Sequence, residues 1–441
     1  MWELIADGIR KIGEYLAEKQ SSAETPQSPP KKVVMLPFEL ENDPNIEYTM
    51  QSDGVEAVGF RPYADKSRAV INGLARSVGD RAFEECAELT TVKIREGVTE
   101  IGFHAFYDCP RLADVKLPRG LKKIGGWSFR DCPALTYIDI PDTVTEICFC
   151  AFWSSGLQTL TLPGSVRTVD MSAFSICKSL TDLTLNEGLK ELGTSAFECT
   201  YSLGYVALPD SLTVLEERAF RNSGLMGVNI PPQISELKDE TFRDCKRLTE
   251  ISVPDNITKI GERVFMGCEE LRTVRLPRGA EIDDSVFEGC SRLHSFTVGS
   301  FTVIIPAAVE ADKTGRFMSF LTRRLGSGVW GEDNSFEERQ YGRDAMFALA
   351  FQLWEYGFAG VEEYLTRDLA LSLDRAVCLD FPAAFDKLTA LGGRIAPERM
   401  DEYIARSIDR GERELYLTLI RYKRDILGFD TDIGIEERFE L

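Results

Sequence analysis

Residues 82–94 read AFEECAELTTVKI, residues 105–117 read AFYDCPRLADVKL, and residues 128–140 read SFRDCPALTYIDI. In each, a Phe is followed three residues later by a Cys, three after that by a Leu, and then by two apolar residues separated by one. The anchor recurs as Phe83, Phe106, Phe129, Phe152, Phe174, Phe197, Phe220, Phe242, Phe265 and Phe287, so every interval is 22 or 23 residues. A fixed period of this size marks a stacked repeat, because one such unit cannot bury its own apolar face.

Six residues past the anchor stand Leu89, Leu112, Leu135, Leu180, Leu203, Leu248, Leu271 and Leu293, with Leu157 and Leu225 one residue nearer. From each leucine the pattern is L-x-x-[VILF]-x-[LIV], usually closed by proline, as in LADVKLP (112–118) and LTEISVP (248–254). This predicts a short strand with period-two alternation. The following xxLxxIG, as in RGLKKIGGWSF (119–129), predicts a turn, an apolar pair, and then the aromatic on the far side. Stacking sets strands about 4.8 Å apart, so ten units make a parallel sheet on the order of 45–50 Å long.

The composite AFxxCxxLxxVxLPxxLxxIG, held over residues 70–298, resembles the BspA-type bacterial leucine-rich repeats. The resemblance implies an α/β repeat fold: a leucine-rich repeat solenoid with a parallel concave sheet. It also implies noncatalytic binding of macromolecules, with surface adhesion in many members. Residues 46–83 resemble the module that precedes such arrays and are expected to form a β-hairpin cap. The pattern departs at Arg95 and Asn186, which replace the proline, and at Ser155, Thr200 and Ser223, which replace the cysteine.

The 441 residues are 44% hydrophobic, enough for a large core. A net charge of −20 opposes binding to nucleic acid or to anionic lipid, both of which need basic surface. No run of 18 apolar residues is present, so no membrane insertion is expected. The first twenty residues carry charges throughout and lack an apolar leader core, which predicts a cytoplasmic protein; a truncated sequence would leave the cell surface as the alternative.

Of the 11 cysteines, Cys86, Cys109, Cys132, Cys177, Cys245, Cys268 and Cys290 share the position three past the anchor. Single, evenly spaced cysteines do not make a zinc site, and CFC (148–150) lacks two further ligands. They are expected to be reduced, buried thiols capping turn carbonyls, with Ser or Thr serving in the three departing units. With only two histidines, His104 and His294, a histidine-based metal or nucleophile site is not expected, nor is any cofactor or enzymatic activity.

Strand alternation leaves the residue before each inward Val and Leu facing outward. Those positions carry Asp114, Tyr137, Asp139, Asp182, Tyr205 and Glu250, which are the candidate contacts for a protein partner. Amphipathic aromatics flanked by acids suit a basic or aromatic peptide.

The expected organisation is a helix at 1–19, a Pro/Ser linker at 20–32, a β cap at 33–69, the solenoid at 70–309, and an all-α domain at 310–441. In the first helix Trp2, Ile5, Ile9, Ile12 and Leu16 form one apolar face, which predicts docking either on the chain itself or on another copy, the second giving self-association through residues 2–19 and an alternative role in assembly. Helices are expected at 335–357, with Ser335 and Glu338 as a capping box, and at 359–377. A helical hairpin is expected at 396–428, with Gly411 at its bend. This hairpin resembles the ankyrin-like tails of some proteins with these repeats, although the T-P-L-H tetrapeptide is absent.

Overall fold

The computed structural model describes residues 44–299 except 53 and 63, together with 301–305, 316–317, 320–321 and 343–426. The N-terminal helix, the linker and the Ser335–Glu338 capping box lie outside the described residues. Strand β1 (Ile46–Gln51) runs antiparallel to β2 (Gly54–Phe60). About 11 turns of parallel β-solenoid follow, over residues 56–298, and then a helical region.

Most turns bring two strands, where one was expected; the turn that carries Tyr137 keeps only the second. The L-x-x-V-x-L segments form the first ladder, with strands such as Thr91–Ile94, Asp182–Leu185 and Thr273–Leu276. Their alternation is as read: in Thr159–Leu162 the threonines are exposed and the leucines buried. The apolar pair after the turn is itself a strand, only two residues long, as in Glu100–Ile101 and Lys123–Ile124. Seven of these two-residue strands join β1 and β2 in a nine-stranded sheet, the most continuous in the molecule. A two-residue strand is too short to show alternation, which is why the sequence presents it only as an apolar pair. The strand Arg68–Ile71 opens the first ladder by pairing in parallel with Thr91–Ile94.

The interior is a column of phenylalanines. All ten anchors are fully buried. Consecutive rings stack within 13° of parallel, 5.2–5.3 Å apart from Phe83 to Phe197 and 5.6–5.9 Å apart from Phe197 to Phe287. Hydrogen-bonded strands sit closer, about 4.8 Å apart. The turns are therefore wedges, and the wedge widens beyond Phe197.

The third side of the turns from Phe83 to Phe265 is built on left-handed backbone two residues before and two after the anchor. Arg81, His104, Trp127 and Arg218 hold φ near +60° before it, and Glu85, Asp108, Asp131 and Asn222 hold it after. Each such non-glycine residue costs on the order of 1–2 kcal/mol. The geometry offsets this by aiming amides along the solenoid axis. Arg81 N–H, Phe83 N–H and Glu85 N–H donate to Phe103, Ala105 and Tyr107 carbonyls at 2.7–2.8 Å, and the pattern recurs in later turns.

At the far end, strand Phe301–Ile304 reverses and pairs antiparallel with Ser295–Val298. Among the described residues, six helices with both ends defined follow residue 342: α1 (Arg343–Glu355), α2 (Val361–Thr366), α3 (Leu369–Cys378), α4 (Pro382–Ala390), α5 (Pro397–Asp409) and α6 (Arg413–Asp425). Helix α1 covers the final strand. Gln352 donates from Nε2 to the Ile304 carbonyl (3.0 Å) and accepts from the Ile304 N–H (2.8 Å), so its amide stands in for the next strand. Tyr356 donates to the Thr302 carbonyl at 3.0 Å. An edge that would otherwise invite pairing is thereby closed.

The helix expected at 359–377 is two helices. Asp368 breaks it because its carboxylate accepts from the Leu371 N–H (3.0 Å) and caps α3. Helix α4 was not anticipated; it begins on Pro382, whose fixed φ suits a first turn. The α5–α6 hairpin turns at Gly411, at φ 70°.

Candidate partner-binding face

The outward residues of the first ladder form two columns along the solenoid, because each strand's neighbour places its equivalent residue beside it. Thr159 pairs with Asp182, Tyr205 with Gly227, and Glu250 with Thr273. Asp114, Tyr137, Asp182, Tyr205 and Glu250 thus lie in one column, and Asp139 lies in the other. Tyr137 and Asp139 sit on an extended segment outside the hydrogen-bonded ladder, although Ile138 and Ile140 still turn inward.

Packing does not account for the two tyrosines. Tyr205 is 68% exposed and Tyr137 is 56% exposed. Asp114 pairs with Lys116 Nζ at 3.3 Å, and Asp182 accepts from Thr181 Oγ1 at 2.7 Å. Asp139 and Glu250 form no ion pair among the described residues. Glu250 borders an open basin of about 820 Å³, shared with Gly227, Asn229, Ser252, Thr273 and Arg275. Arg275 is held by Asp255 at 3.0 Å. The candidates therefore form a line and not a cluster. Among the described residues, these candidates do not gather around an enclosed space, and the line presents an extended surface for contact.

The cysteine column is structural. The Sγ of Cys109, Cys132, Cys177, Cys245, Cys268 and Cys290 donates to the carbonyls of Phe83, Phe106, Phe152, Phe220, Phe242 and Phe265 at 3.1–3.3 Å. Each thiol ties its turn to the preceding anchor. Burial pushes the Cys177 and Cys245 thiols up to about 12. Ser155 and Ser223 bond to Cys177 and Cys245 at 3.2 Å, and Thr200 donates to the Phe197 carbonyl. Cys86 departs from the expectation: it is only half-buried, because the turn before it is the cap and not a full repeat.

Two side-chain clusters on the third side were missed. In the first, His104 stacks on Trp127 (4.9 Å, 10°) and its Nδ1 meets Glu84 Oε1 at 2.8 Å. Arg130 lies between Trp127 and Trp153, 4.0 and 4.1 Å from their centroids. In the second, buried Glu240 meets Arg218, Arg221, Arg243 and Arg263 at 2.7–3.4 Å. Both clusters occupy the positions two before and one after the anchor. Aligning the repeats at those positions shows them as columns: His104, Trp127 and Glu240 in one, and Arg130, Trp153, Arg221 and Arg243 in the other.

Among the described residues no group of three His, Cys, Asp or Glu side chains is placed to hold a metal. No described helix is long and apolar enough to cross a membrane.

Comparison with curated proteins gives no match. Among solved structures, a leucine-rich repeat protein from Bacteroides ovatus is 26% identical, with a TM-score of 0.47, over 58% of this chain and 75% of that one. A leucine-rich cell surface protein from Faecalibacterium prausnitzii is 22% identical, with a TM-score of 0.33, over 59% and 94%. The pneumococcal vaccine antigen PcpA is 20% identical, with a TM-score of 0.39, over 57% and 76%. The model of the BspA type leucine-rich repeat region matches residues 67–181, 100–226 and 190–310, more than half of the sequence, and the chain belongs to that family.

Proposed function

We propose that this chain binds a protein partner, without catalysis, along the strand face that carries Asp114, Tyr137, Asp139, Asp182, Tyr205 and Glu250. The observation that carries the reading is the exposure of Tyr205 and Tyr137 on a regular strand surface. A tyrosine offers a large contact area with few rotors to immobilise, and such residues dominate binding energy where they are buried by a partner. Membership of a repeat family suited to protein binding or adhesion agrees with this. A reducing, cytoplasmic setting belongs to the same proposal, supported by six buried thiols that donate to carbonyls.

The test is a pull-down from the producing cells with the full chain and with a matched Tyr137→Ala, Asp182→Ala, Tyr205→Ala variant. All three side chains are exposed, so the variant keeps its fold. A partner lost by the variant supports the strand face. A partner retained by it moves the site to another surface and refutes the assignment.

A further inference from the structure

The outward strand positions are not evenly charged. From Tyr137 to Ser252 they hold Asp139, Asp182 and Glu250, together with Tyr137 and Tyr205, and no lysine or arginine. The bases resume outside this stretch, at Lys116 and Arg275, each already paired with a carboxylate. The spacing within the stretch is regular. Asp182 lies two repeats beyond Tyr137, and Glu250 lies two repeats beyond Tyr205. Tyr137 to Tyr205 and Asp182 to Glu250 are both three repeats.

The backbone shapes this surface as well. A Cβ at Gly227 would lie 3.1 Å from Cε1 of the Tyr205 ring, so the ring occupies space that a side chain there would take. The ring therefore leans along the solenoid axis toward Glu250, and the absent side chain leaves the basin open beyond it. A tyrosine face with a carboxylate two repeats further on, about 10 Å along the axis, suits a long cationic side chain lying between them, its stem on the ring and its head at the acid.

Building on the strand-face reading, we propose that the partner is an extended, cationic polypeptide segment lying along the solenoid axis, with its basic residues about four apart. Three repeats at about 4.8 Å span roughly 14 Å, and an extended chain covers that distance in about four residues at roughly 3.3 Å each. One basic side chain would meet the Tyr137–Asp182 step and the next the Tyr205–Glu250 step. The excess of carboxylates on the face supplies the complementary field, which also steers encounter.

The test uses fluorescence anisotropy with the full chain and three labelled synthetic peptides of equal length. One carries lysine at every fourth position among Gly and Ser, one has the same lysines clustered, and one carries glutamate at every fourth position. The spaced lysine peptide is expected to bind on the order of tenfold more tightly than the clustered one, the sum of two exposed charge contacts and their aromatic partners. Asp182→Asn with Glu250→Gln is expected to remove that preference, and salt to weaken binding throughout. Equal binding of spaced and clustered peptides marks a nonspecific polyelectrolyte effect and overturns the proposal. So does tighter binding of the glutamate peptide, or spaced-peptide binding unchanged in the double variant. Should these peptides fail while a cellular partner is still lost by the Tyr137, Asp182, Tyr205 variant, the strand face stands and only the cationic chemistry falls.

Discussion

Replacing Glu240 by Gln tests whether the third side of the solenoid is held by charge. The Glu240 side chain is 6% exposed and contacts Arg218 Nε (2.9 Å), Arg221 Nη1 (3.0 Å), Arg243 Nη1 (2.7 Å) and Arg263 Nη1 (3.4 Å). These arginines flank Phe220, Phe242 and Phe265, so one carboxylate joins three successive turns. Glutamine keeps the shape and one acceptor but removes the charge. Removing one partner of a buried pair costs about 3–5 kcal/mol, because the charge left behind is uncompensated. Two arginines have other carboxylates, Glu198 for Arg221 and Asp244 for Arg243, and Arg263 is nearly half exposed. The expected loss is therefore nearer 2–3 kcal/mol.

Repeats contact only their neighbours, so the loss should be local. Amide hydrogen exchange reads it without assuming that the whole chain unfolds in one step. Protection is expected to fall for the turns from Arg218 to Arg263 and to stay unchanged from Phe83 to Phe174. pH supplies a second readout. Burial works to raise the Glu240 carboxyl, and the arginines, led by Arg221 and Arg218, outweigh it and hold it below the usual glutamate range. A group depressed in the folded state contributes stability above its unfolded pKa and loses it as pH falls through the folded value. The wild type should thus converge on the variant in acid below the ordinary glutamate range. A change under about 0.5 kcal/mol at neutral pH would be that of an ordinary surface site and would refute the argument.

Two further outcomes follow from the same geometry. Native alkylation read by intact mass should modify Cys86 well before Cys132, Cys177, Cys245 or Cys268, whose thiols burial raises far above neutrality; fast reaction of the buried set would sink the ladder reading. Gln352→Ala removes both bonds to Ile304 and should cost about 1–2 kcal/mol in the terminal turn and α1, with increased self-association through the bared edge; unchanged exchange at Ile304 would show that the clamp contributes nothing.

The solenoid was legible because its period is written in large apolar residues whose burial the fold requires. Phe83 to Phe287 and their leucines could have no other role. Individual columns were harder to read. The two-residue strands carry one buried side chain each, such as Ile101 or Ile124, and no alternation can be read from one residue. The left-handed positions resist reading for a different reason. Glycine would announce them, yet Arg81, His104, Trp127 and Cys150 occupy them, because amide bonds to the next turn offset the strain. In the helical region the capping residues decided the outcome. Asp368 splits one apolar-periodic run into α2 and α3.

Two of the solenoid's three sides differ in what their side chains do. On the third side, His104 lies on Trp127, Trp127 and Trp153 enclose Arg130, and Glu240 gathers four arginines, so these side chains meet their neighbours from turn to turn. A partner docking there would have to break contacts that hold the stack. On the strand face the backbone ladder and the buried Val and Leu already hold neighbouring units together. Outward residues such as Asp139, Tyr205 and Glu250 can change without loosening a turn. A repeat fold can vary a surface for recognition only where stability does not depend on that surface. That separation, more than the chemistry of any one residue, is what supports placing the proposed partner on the strand face.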